Sequence, residues 1–99
     1  MPNETRKIEP GDRCYQHKDR IVFDCPGCGH HHSIVLGRWT FNNNFRKPTF
    51  EPSVLVRSTF GPERVDRRCH SFVKKGKIQY LSDCTHKLAG KTVDLPEID

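Results

Sequence analysis

Cys25-Pro26-Gly27-Cys28-Gly29 constrains this chain more than any other five residues in it. Cysteines spaced two residues apart can aim both sulfurs at one ion across a tight turn, the spacing of half a zinc site. Pro26 stiffens the turn, and Gly27 and Gly29 permit its backbone twist. Zinc takes four tetrahedral ligands in a structural site and three plus water in a catalytic one. The knuckle supplies two, so the rest must come from elsewhere. A redox pair of this spacing would open a helix after a strand. Here Gly29, three histidines and a β-like run follow, which points to metal instead.

A staple is what the composition calls for. In 99 residues only 33% are hydrophobic and 29% are charged, so the core must be thin. The five cysteines, Cys14, Cys25, Cys28, Cys69 and Cys84, are odd in number. Met1 to Pro10 is polar, without the apolar run of a signal peptide, and no stretch approaches the ~20 apolar residues that span a bilayer. The expected compartment is a bacterial or host cytosol, where cysteines bind metal more often than they pair.

The chain reads as one small, mainly β (α+β) domain of zinc-stapled antiparallel hairpins with one short C-terminal helix. Residues 1–19 are expected to form a polar N-terminal arm and residues 20–99 the zinc-binding domain. Arg20 to Asp24 and Ser33 to Leu36 read as strands flanking the knuckle. Arg38 to Phe41 alternates polar with aromatic, as a half-buried strand does. Ser53 to Val56 is a further strand, and 61–68 a charged surface loop. Ser71 to Val73 and Ile78 to Leu81 flank Lys74-Lys75-Gly76-Lys77, a hairpin pattern. Ser82 or Asp83 is placed to cap a helix ending near Gly90, and Lys91 to Leu95 alternates again until Pro96.

For the two missing ligands Cys69, Cys84, His86, His70, His30, His31 and His32 are all eligible. Cys69 opens a predicted strand and His86 lies in the predicted helix. The expected set is therefore Cys25, Cys28, Cys69 and His86 around one structural Zn2+. The net charge of +5, concentrated in Arg64-Val65-Asp66-Arg67-Arg68 and Lys74-Lys75-Gly76-Lys77, would suit nucleic acid. Interleaved acids and the lack of alternating aromatics favour ordinary solvated loop charge.

A serine hydroxyl becomes a nucleophile when an oriented imidazole removes its proton. From the residues alone Ser53 reads as a strand-start serine making a local hydrogen bond after proline; as a nucleophile it would need His70, His32 or His86 as base and Asp83 or Asp24 as orienter. In combination, Cys25-Pro-Gly-Cys-Gly…His32, Trp39-Thr-Phe41, Pro48-Thr-Phe-x-Pro-Ser53-Val, Cys69-His-Ser-Phe72, Gly76-x-Ile78-Gln-Tyr80 and Asp83-x-Thr-His86…Gly90…Pro96 resemble a small phage and bacterial family. Its members are often labelled ammonia monooxygenase, a label these residues do not support. The family is related to a peptidase of bacterial operons that encode ubiquitin-like proteins with their activating and conjugating enzymes. The resemblance implies a zinc-carrying hydrolase with Ser53 as nucleophile and His70 as base, and Asp83 completes the expected catalytic set. It also implies a protein or peptide substrate, with a ubiquitin-like protein as the leading example. The Cys69-His70-Ser71-Phe72 order differs from the Cys-x-Ser-His-Phe of the operon lineage. The alternative reading is a non-catalytic, zinc-ribbon-like phage module that binds a host protein or nucleic acid.

Overall fold

A computed structural model of the chain describes residues 7–60 and 65–98. Among these residues eight strands follow one another: β1 (Tyr15–His17), β2 (Arg20–Cys25), β3 (His30–Val35), β4 (Thr40–Phe41), β5 (Phe50–Phe60), β6 (Val65–Lys74), β7 (Lys77–Tyr80) and β8 (Thr92–Asp94). They form two antiparallel sheets, one of order β1-β2-β3 and one of order β4-β5-β6-β7-β8. In the segment expected as an arm, β1 pairs with β2, and Cys14 is wholly buried with its thiol directed at the Phe45 carbonyl.

The strands follow from side-chain alternation. In β2, Ile21, Phe23 and Cys25 turn inward, and in β3 Ile34 joins them. In β6 and β7 the inward set is Cys69, Ser71, Val73, Ile78 and Tyr80. These faces, with Phe50, Val54 and Leu95, make one core between the two sheets, and the Phe23 and Phe50 rings meet across it at 5.5 Å. The β6–β7 turn is set by Lys75 and Gly76, at φ 51° and 80° between the paired Lys74 and Lys77. Positive φ at both central residues is the requirement of a type I′ hairpin, and glycine meets it at low cost.

Two expectations are corrected. Among the described residues there is no helix, so the architecture is all-β, not α+β with a C-terminal helix. Ser82 to Gly90 instead runs as successive turns, closed by Cys84 N–H to Leu81 O, Ala89 N–H to His86 O and Lys91 N–H to Leu88 O. Distant partners pull the segment out of helical register. The Thr85 N–H bonds the Arg68 carbonyl, and the Cys84 side chain bonds the His70 backbone. The second correction concerns the charged loop expected over 61–68. Residues 61–64 lie outside the described residues, but Val65 onward belongs to β6, paired with the end of β5.

Candidate functional site

Two clusters of reactive side chains lie on opposite faces of β6. Successive residues of a strand point to opposite sides. Cys69 therefore turns into the core, while His70 emerges on the outer face of the five-stranded sheet.

On the core side, Cys25, Cys28, Cys69 and His86 bring their ligand atoms within 4.8 Å of one another. Cys25 ends β2, Cys28 lies in the β2–β3 turn, Cys69 comes from β6 and His86 from the turns after β7. The cluster thus joins the two sheets. The turn is closed by the Gly29 N–H on the Cys25 carbonyl at 2.9 Å, with Gly29 at φ 76°. Gly27 is required for another reason: a Cβ there would lie 2.3 Å from the His86 ring.

Several observations fit this set to a metal ion. The Cys25 and Cys69 sulfurs are 3.7 Å apart, close to the ~3.8 Å edge of a tetrahedron with 2.3 Å zinc–sulfur bonds. His86 Nε2 is buried and, among the described residues, has no hydrogen-bond partner. The protonation pattern is that of a site crowded with sulfurs that compete to ionise. Cys25 is lowered to about 3, first by the Cys69 thiol, then by His32 and Tyr80 against the cost of burial. Cys28 is raised to about 11 by burial and the Cys25 charge. Cys69 is also pushed up, by its bond to Cys25 and by burial. Three sulfurs can ionise together only if a cation sits among them. The cluster can therefore hold a metal ion.

Tyr80 was not anticipated as part of this site. Its hydroxyl donates to Cys25 Sγ at 3.1 Å and accepts the Gly27 N–H at 3.0 Å. One signal was available: Tyr80 shares an inward face with Ile78, and a buried tyrosine hydroxyl needs partners. Cys84, eligible by type, bonds the backbone of His70 instead of joining the cluster. His32 is buried against Phe23 and His30, and His30 and His31 are exposed. A cavity of about 320 Å³ opens beside the cluster and is lined in part by Cys28, His32, Cys69 and His86.

On the outer face, Ser53 Oγ lies 3.0 Å from His70 Nε2, and His70 Nδ1 lies 3.2 Å from Asp83 Oδ2. An ionised carboxylate can only accept, so Nδ1 carries the proton and Nε2 of the neutral ring is the acceptor for the Ser53 hydroxyl. The β5–β6 ladder places Leu55 opposite His70, which sets Ser53 on a diagonal to the imidazole on the same face. The register slips between Phe50 and Val54, just ahead of that diagonal. Asp83 arrives from the turns after β7, held by the Leu81 N–H on the His70 carbonyl and by the Cys84 contacts. Arg68 Nη1 lies 3.8 Å from the same carboxylate oxygen. The imidazole is about one quarter exposed and Asp83 about two fifths, so the group is open to a substrate from solvent. Asp24, the other acid considered, is exposed on β2 in the first sheet.

Residues 1–81 match the family model described as the bacterial ubiquitination-like system serine protease (BubE), and the chain belongs to that family. No curated protein and no solved structure matched. Among the described residues no helix is long and apolar enough to cross a membrane.

Proposed function

We propose that this family member is a zinc-stabilised serine peptidase in which Ser53 is the nucleophile, His70 the general base and Asp83 the group that orients it. The observation that carries the reading is the unbroken relay from Ser53 Oγ through His70 to Asp83, at 3.0 and 3.2 Å. Those are the contacts a serine nucleophile needs. Chain order does not matter to this chemistry, because the same constellation recurs on unrelated folds.

In the acylation step the Ser53 oxygen attacks the scissile carbonyl as its proton passes to His70 Nε2. Asp83 holds Nδ1–H and stabilises the imidazolium. The amide C–N bond breaks as His70 returns the proton to the leaving amine. Water then repeats the sequence on the acyl-serine and releases the acid. A tail of a ubiquitin-like protein is the proposed substrate, in keeping with the ubiquitination-like system in the family's description.

The metal proposed for the four-ligand cluster is zinc, in a structural role. Four protein ligands, three of them thiolates, make a closed site that supplies folding energy and no hydrolytic water. Its ligand His86 lies three residues after Asp83, so the ion would anchor the segment that carries the orienting acid.

The test is Ser53→Ala, with a fluorophosphonate as an independent probe. Parent protein is expected to gain one phosphonyl adduct, on Ser53, by intact and peptide mass spectrometry. Ser53→Ala should bind the same zinc, cleave no substrate and gain no adduct. Cleavage by Ser53→Ala at the parent rate would refute the serine mechanism.

A further inference from the structure

We propose that the edge of β5 at Leu55, just beyond the Trp39 contact to Ser53, docks an extended, unstructured polypeptide tail, which joins the five-stranded sheet as an added strand paired with the main chain of Leu55. This inference rests on Ser53 being the nucleophile and adds how the substrate is held.

β4 is only two residues long and covers β5 no further than Phe50 and Glu51. From Val54 to Val56, the described strand pairings of β5 are with β6 alone, on its other side. The direction of the backbone groups can be read from one bond. Trp39, next to β4, donates its indole N–H to the Ser53 carbonyl at 3.3 Å, so that carbonyl points away from β6. In a strand, the N–H and C=O of one residue share a side, and the side alternates. Val54 therefore turns to β6, and Leu55 turns its N–H and C=O to the uncovered edge.

Three further features make this edge a receiving strand. Natural edges are commonly blunted by charge or proline; here Pro52 and Arg57 bracket the edge, and between them stands Leu55, a large apolar side chain 50% exposed. Leu55 shares the outer face with Ser53 and His70, so an apolar substrate side chain would rest on it beside the nucleophile. His70 comes to Ser53 from the β6 side and Trp39 holds the Ser53 carbonyl on the edge side, so an incoming carbonyl would reach the hydroxyl from the outer face, past Leu55. Past Ser53, a cavity of about 440 Å³ lined by Arg38, Thr40, Glu51, Pro52, Phe72 and Lys74 can take one substrate side chain.

The occupant is a tail, because a strand already paired inside a folded domain has no main-chain groups to offer. Strand addition draws affinity from those groups and specificity from alternate side chains. An added strand would run about 4.8 Å from β5, within reach of the Ser53 side chain.

The experiment starts from a library of blocked, unstructured decapeptides, from which the one cleaved fastest by parent protein is chosen. Amide hydrogen exchange is then measured on the Ser53→Ala protein with and without that peptide. The expected result is at least tenfold slower exchange at Leu55; unchanged exchange there overturns the proposal. A second arm uses Leu55→Pro, which deletes the outward N–H and no β5–β6 bond. Relative to fluorophosphonate labelling of the same protein, decapeptide cleavage should fall about tenfold or more, the worth of a lost main-chain hydrogen bond. An unchanged ratio overturns edge docking. Failure of parent protein to label at Ser53 instead overturns the nucleophile assignment, and the docking proposal with it.

Discussion

Replacing Tyr80 by phenylalanine isolates the hydroxyl that ties the knuckle to the core. The ring is 1% exposed, and phenylalanine keeps its volume, so packing is unchanged. Two bonds are lost, Oη–H to the Cys25 sulfur at 3.1 Å and Gly27 N–H to Oη at 3.0 Å. Burial, with the bond to Cys25, raises the tyrosine pKa, so the hydroxyl remains a donor to a thiolate. A hydrogen bond to a charged group is worth about 1.5–3 kcal/mol. Loss of a partner that supports a metal ligand costs about 10–100-fold in affinity, or about 1.4–2.7 kcal/mol. The two routes agree, and the stranded Gly27 amide adds to the fall in stability. Competition against a chromophoric chelator should show Tyr80→Phe binding zinc 10–100-fold more weakly. The zinc-loaded Tm should fall by at least ~5 °C, given about 4–8 °C per kcal/mol for a domain of this size. Zinc affinity within twofold of the parent, with an unchanged Tm, would refute the assigned role of Tyr80.

Gly27→Ala should lose zinc outright or fail to fold, because the new methyl would occupy the position of the His86 ring; metal content after purification reads this. Cys84→Ala should keep one zinc per chain, since Cys84 stands outside the cluster, while losing its two contacts to the His70 backbone. Asp83→Asn should slow Ser53 labelling by roughly 10⁴-fold, the scale seen when the orienting acid of a serine triad becomes an amide. Zinc loading should release protons. At pH 7 Cys25, at about 3, is already ionised, whereas Cys28 (about 11) and Cys69, both raised, must each give one up, which makes two. Affinity should then rise about a hundredfold per pH unit near neutrality, and calorimetry in buffers of different ionisation enthalpy counts the protons.

What the sequence made legible was whatever rests on local spacing. The knuckle follows from two cysteines and the glycines around them, and β2, β3, β6 and β7 follow from alternation, which needs no knowledge of partners. The missing helix shows the limit. Ser82, Asp83 and Gly90 carry cap and stop signals, but a cap signal says only that a carboxylate can accept a local amide. Here the Asp83 carboxylate meets His70, 13 residues back in the chain, and the Cys84 sulfur meets the same residue's backbone. Tertiary partners outbid a marginal helix of one or two turns. The choice among His32, His70 and His86 was equally non-local, because it depends on which face of which sheet each imidazole takes. The diagonal between Ser53 and His70 also depends on the irregular register between Phe50 and Val54, and no periodicity announces a slip of that kind.

The adjacency of Cys69 and His70 has a consequence for how the protein can fail. One strand gives the metal cluster its third sulfur on one face and the serine its imidazole on the other, and residues 83–86 repeat the pattern with Asp83 outside and His86 inside. An ion held by the cluster would therefore clamp both ends of the imidazole–carboxylate pair through its ligands. Stripping it should disturb Asp83 before β5, because Asp83 lies in turns with few backbone bonds whereas Ser53 lies in a strand laddered to β6. A graded chelator titration should then abolish fluorophosphonate labelling while amide exchange in the β5–β6 ladder is still slow. Simultaneous loss of labelling and ladder protection would show instead that the ion holds the whole domain and not the orienting segment in particular.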